Sequence, residues 1–172
     1  MRRVLPAIAS GILTMGCAPA SSAGCFAPAT ELPERAAVLA APGIGESARA
    51  LVDALFAGDA GEVKALLGRD PALARLRLGG GADVLSLAVA SCERDVVDAA
   101  IAAGAPLDGG GKGLPLNLAL RARDPWCAGR LLEAGARPNP PASPSMPMRT
   151  AIGLNAPRAM AMLLVSGAVP NL

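Results

Sequence analysis

Apolar positions along the chain recur with helical spacing. Leu51, Ala54 and Leu55 stand at i, i+3 and i+4, and so do Val63, Leu66 and Leu67; Val96, Val97, Ala100 and Ile101 form another such stripe. The stripes come in pairs separated by short turn-forming steps: Gly58-Asp59, Ser91-Cys92 and Asp124-Pro125. Asp124 followed by Pro125 has the chemistry of a helix N-cap with proline at the first helical position. The pattern predicts an all-α chain of four antiparallel helix pairs, near residues 48–76, 83–106, 114–137 and 146–169, with no sheet beyond hairpins in the connectors.

The pairs share a register. Gly104-Ala105, Gly135-Ala136 and Gly167-Ala168 recur at spacings of 31 and 32, each after an apolar pair, Ala100-Ile101, Leu131-Leu132 or Leu163-Leu164. These glycines stand where a left-handed C′ residue would end each second helix. Sixteen residues before each glycine lies Ala88, Ala119 or Ala151, and the same step back from Asp70 reaches Ala54. A small residue at the centre of each first helix lets neighbouring pairs approach closely. Helix pairs this short cannot bury an apolar face alone, so stacking must supply the partner. In this register Ala119 points at the neighbouring pair. The connectors Gly79-Gly80-Gly81, Gly109 to Gly113 and Asn139 to Pro147 are rich in glycine or proline. Gly109 to Gly113 is not a phosphate loop, because Pro106 stands where its first glycine belongs and Gly113 follows Lys112.

Composition narrows the chemistry. Hydrophobic residues make up 52% of the 172, but 38 are Ala and aromatics are only 2%, too few for a β-sandwich core. There is no His, which removes the commonest general base and metal ligand and rules out the usual Ser-His-Asp and Cys-His hydrolases. Cys17, Cys25, Cys92 and Cys127 form no close pair of metal-ligand spacing, so no metal or other cofactor is expected; Cys92 and Cys127 fall at different heights in adjacent repeats and are expected to stay unpaired. Net charge is +2, with no call for nucleic acid, but it is polarised: residues 31–62 hold six acids and two bases, residues 121–158 six bases and two acids.

The amino terminus reads as an export signal. Met1-Arg2-Arg3 is a short basic region and Val4 to Gly16 an apolar stretch too short to span a bilayer. Leu13-Thr14-Met15-Gly16-Cys17 resembles a bacterial lipobox, with Thr14-Met15 where Leu and a small residue are usual. Two processing routes follow: lipidation at Cys17, or plain cleavage after Ala23 to give a soluble periplasmic protein. The organisation expected is a signal at 1–17, a flexible linker at 18–45 with a short capping helix at Glu34 to Ala41, and a repeat domain at 46–172.

The body resembles the ankyrin repeat. Leu114-Pro115-Leu116-Asn117-Leu118-Ala119 matches Pro, Leu and Ala of the family's Thr-Pro-Leu-His-x-Ala opening, with Asn in the His place. Met146-Pro147-Met148-Arg149-Thr150-Ala151 matches Pro and Ala, and Asp83-Val84-Leu85-Ser86-Leu87-Ala88 matches Leu and Ala. The family's second-helix Val-Val is found as Val96-Val97 and its Leu-Leu-x-x-Gly-Ala ending as Leu131 to Ala136. The resemblance covers residues 48–172 and implies a solenoid of about four helix–turn–helix repeats. It implies a non-catalytic protein–protein interaction module that binds its partner in a concave groove, and the export signal places that module on the periplasmic side of the cell envelope. The alternatives are a structural envelope lipoprotein without a groove partner, or a carboxylate-based enzyme. The resemblance implies groove positions two and three residues after each central alanine, among them Phe56, Ser91, Arg121, Ala122 and Leu154, with Lys112 and Asp108 on the adjacent finger; Trp126, early in a second helix, is either an interface residue or packs on Pro125.

Overall fold

The computed structural model describes residues 33–91, 93–109, 115–140 and 146–170. The expected signal at 1–17 and most of the expected linker lie outside these residues. Among the described residues all regular structure is helical: α1 (Arg35–Leu39), α2 (Glu46–Ala57), α3 (Ala60–Arg69), α4 (Val84–Ser91), α5 (Arg94–Ala102), α6 (Pro115–Arg121), α7 (Pro125–Glu133), α8 (Pro147–Gly153) and α9 (Pro157–Val165), with short 3₁₀ turns at Pro71–Arg75 and Gly79–Gly81. A single isolated antiparallel bridge joins Arg77 to Asp83, and no strand is formed among the described residues.

From α2 onward the helices pair as α2/α3, α4/α5, α6/α7 and α8/α9, at the four places the apolar stripes predict. The first helices pack side by side in chain order, α2 on α4, α4 on α6 and α6 on α8. Inner helices are therefore covered on both flanks and by their own partner, so Val84 to Val89 of α4 and Pro115 to Leu120 of α6 are all buried. The alanine register holds: Ala54 is 6% exposed, and Ala88, Ala119 and Ala151 are fully buried.

Local chemistry sets the helix ends. Each second helix starts at an extended residue of nearly one conformation: Asp59, Glu93, Asp124 and Ala156, with φ from −79° to −105° and ψ from 80° to 114°. Asp59 accepts from the Glu62 N–H at 3.0 Å; Asp124 accepts from those of Trp126 at 2.9 Å and Cys127 at 3.2 Å. Glu93 and Ala156 make no side-chain cap bond. Gly135 ends α7 at φ 103°, donating to the Leu132 carbonyl while Ala136 donates to Leu131, and Gly104 and Gly167 repeat these bonds. This is the Schellman arrangement, and it explains the Gly-Ala pairs: glycine takes the left-handed position, and the alanine after it is buried.

The two ends of the stack differ. At the front, α1 packs on α2 and on the Gly79–Gly81 turn, and Val38 is fully buried there. A Cβ at Gly79 would fall 1.9 Å from the Ala37 carbonyl oxygen, so only glycine admits this approach. Arg35 Nε also donates to Asp53 of α2 at 2.7 Å. The expected capping helix is thus present, over Arg35–Leu39. At the other end α9 buries only Leu163 below the surface, and leaves Leu164 half-exposed and Val165 at 91% exposure.

Candidate functional site

The residues expected along a groove are only partly brought together. Phe56 at the end of α2 and Ser91 at the end of α4 meet across a shallow hollow of about 80 Å³, floored by Leu55, Leu87 and Ala90. Phe56 offers exposed aromatic surface there. The Ser91 hydroxyl donates to the Ala88 carbonyl at 2.8 Å and accepts from the Glu93 N–H, so it serves the turn as well. Arg121 closes α6 half-buried and is engaged within the fold; Leu154 is half-buried after α8. Lys112 and Cys17 lie outside the described residues, as does Cys92.

One expectation is corrected. Ala122 does not face a groove: it is 5% exposed. The Ala122 N–H donates to the Leu118 carbonyl at 2.8 Å, so the helical course runs through it and, three residues after buried Ala119, it falls on the same inward face; the left-handed residue, Arg123 at φ 55°, comes after it. Asp108 is occupied inside the fold, because its carboxylate accepts from the Arg137 N–H at 2.8 Å and pairs with the Arg137 side chain at 3.3 Å. Asn139 makes the equivalent tie one repeat on, donating to the Gly167 carbonyl at 2.9 Å and accepting from the Val169 N–H at 3.0 Å. These side chains join successive connectors. The sequence signal was available in the Asp108 and Asn139 spacing of 31.

On the second-helix side, charged side chains of successive pairs meet. Lys64 of α3 reaches Asp95 of α5 at 4.0 Å, and Arg130 of α7 donates to Asp98 of α5 at 2.6 Å. Trp126 lies half-buried against the core with the Arg94 guanidinium 5.1 Å from its ring centre, so it packs between α5 and α7. This is a cation–π contact of the ordinary kind. Cys127, in the next position, is a buried thiol.

Between the last two pairs the arrangement changes. No ion pair joins α7 to α9 among the described residues. A cleft of about 370 Å³ opens at the turn end, walled by Arg123, Asp124 and Pro125 on one side and Asn155 to Ala159 on the other. Its floor is apolar: Ala119, Leu120, Ala128 and Met162. At Gly129 a Cβ would stand 3.1 Å from the Met162 methyl, so α7 and α9 touch closely there. Arg123 and Asn155 are the two non-glycine residues of positive φ among the described residues, and both line this cleft. Sequence reasoning missed it. The signal was the repeated step Arg123-Asp124-Pro125 and Asn155-Ala156-Pro157, 32 residues apart, which reads as two turns rather than as two walls.

Among the described residues no group of three His, Cys, Asp or Glu side chains could hold a metal ion, and no helix is long and apolar enough to cross a membrane. No family model, no curated protein and no solved structure matches the chain.

Proposed function

We propose that the chain is an ankyrin-like solenoid that works without catalysis, as a protein–protein interaction module of the bacterial cell envelope. The observation that carries this reading is the fourfold repetition of one helical hairpin, with the first helices α2, α4, α6 and α8 stacked in an unbroken row and a buried alanine at the centre of each. Such arrays present one long face built from equivalent positions, and binding residues can vary there without disturbing the stack. The partner lies along the ends of the first helices, where Phe56 supplies aromatic contact area and Arg121 a guanidinium, the residue types that dominate interface energetics. Asp108 is assigned to holding the connectors rather than to the partner. Export and attachment at Cys17 belong to the same reading.

A photo-crosslinking residue placed at Phe56 or Arg121, with Ala65 on the exposed side of α3 as control, tests the binding face in cells. The expected result is one protein adduct from positions 56 and 121 and none from 65. Equal capture from all three positions, or none from any, overturns the proposal. The mass of the processed amino terminus tests the address: a diacylated Cys17 is expected, and a terminus at Gly24 refutes anchoring.

A further inference from the structure

The cleft between the third and fourth helix pairs has the two properties of a site for a small amphiphilic anion. Its volume, about 370 Å³, falls within the range of small-molecule sites, and its floor of Ala119, Leu120, Ala128 and Met162 is apolar. Its two walls each include an arginine, Arg123 and Arg158. Neither makes an ion pair or a hydrogen bond among the described residues, in contrast to Arg35, Arg130 and Arg137, each of which is matched to a carboxylate. The carboxylate in the same lining, Asp124, accepts the Trp126 and Cys127 N–H groups at the start of α7, and after Glu133 no acidic residue occurs to position 172.

Arg123 also occupies a costly place. At φ 55° it stands in the left-handed region, where the equivalent turn of the first pair uses Gly58 at φ 68°. Glycine enters that region freely and arginine does not. A strained cation held at the mouth of an apolar cleft is a reason to look for an anion there. We propose that this cleft binds a carboxylate with a medium-length acyl chain, the chain lying on Leu120, Ala128 and Met162 and the carboxylate between Arg123 and Arg158. Planar guanidinium groups suit a carboxylate through paired N–H donors, and the contacts are stronger beside an apolar wall than in water.

Octanoate is the probe, with octanamide as the uncharged control and acetate as the control without a chain. Amide NMR of the full chain during titration reports both affinity and place. The expected result is saturable binding of octanoate with shifts at Arg123, Ala128, Ala159 and Met162, octanamide about tenfold weaker, and no saturation by acetate. Arg123→Gly separates binding from folding: it is expected to melt no lower than the parent yet bind octanoate about tenfold more weakly, with octanamide unchanged. Arg158→Gln, at an exposed position, is expected to act the same way on binding. Octanoate shifts absent from the cleft, octanamide binding as tightly as octanoate, or Arg123→Gly binding octanoate like the parent would each overturn the proposal.

Discussion

Ala156→Asp should stabilise the protein by completing a cap that two other second helices already have. Asp124 and Ala156 occupy equivalent places: φ −94° and ψ 98° for the first, φ −105° and ψ 80° for the second, each followed by proline at the first helical position. Asp124 accepts two backbone N–H groups, whereas those at the start of α9 receive no side-chain bond from position 156. Capping residues are worth about 0.5–2 kcal/mol over alanine. A carboxylate at a helix N-terminus adds about 0.3–1 kcal/mol through the helix dipole, a part that salt screens. A gain of about 1 kcal/mol corresponds to a rise of about 3–5 °C in a domain of this size. Thermal melts followed by circular dichroism measure it. The reciprocal Asp124→Ala should fall by a similar amount, and Ala156→Asn should recover the hydrogen-bond part without the salt-sensitive part. If Ala156→Asp melts at or below the parent while Asp124→Ala falls as expected, the equivalence of the two turns is wrong.

Further outcomes follow from the same geometry. Ala88→Leu, in an alanine sealed between α2 and α6, should lose about 1–3 kcal/mol by overpacking, and Ala119→Leu, sealed in the same way between α4 and α8, should lose a similar amount in the same urea titration. Gly135→Val, at φ 103°, should cost at least about 1 kcal/mol and lower the melting midpoint, since a β-branched residue is an outlier there. Val165→Thr, at a site 91% exposed, should leave the midpoint within about 1 °C, which a side-by-side melt checks. Thiol labelling of the native protein should leave Cys127 unmodified until unfolding exposes it, because it is 1% exposed.

The hairpins were legible because their signals are local. The i, i+3, i+4 stripes, the Asp-Pro step and the Gly-Ala endings each fix a helix or its boundary within a few residues, and each appears where it was expected. The groove positions were less legible. The resemblance puts groove positions two and three residues after the central alanine, which places Ala122 outside; its N–H keeps the helical bond to Leu118, so it stays on the face of Ala119 and is 5% exposed. The tie between Asp108 and Arg137 was not legible, because the two are 29 residues apart in successive connectors.

Repetition of a short apolar pattern, written into residues 48–172, determined by itself that this chain would form paired helices that must stack, because no pair could bury its apolar face alone. It also determined which alanines and glycines stand at the closest approaches, since steric limits on a small side chain or a left-handed residue hold wherever the hairpin sits. Only the tertiary structure decided how each hairpin meets the next. That relation depends on contacts between residues about thirty positions apart, such as Lys64 with Asp95 and Arg130 with Asp98, and where the third pair meets the fourth it leaves a cleft lined by two unmatched cations, Arg123 and Arg158. A local pattern cannot encode a gap between two well-formed elements, because the gap belongs to neither of them.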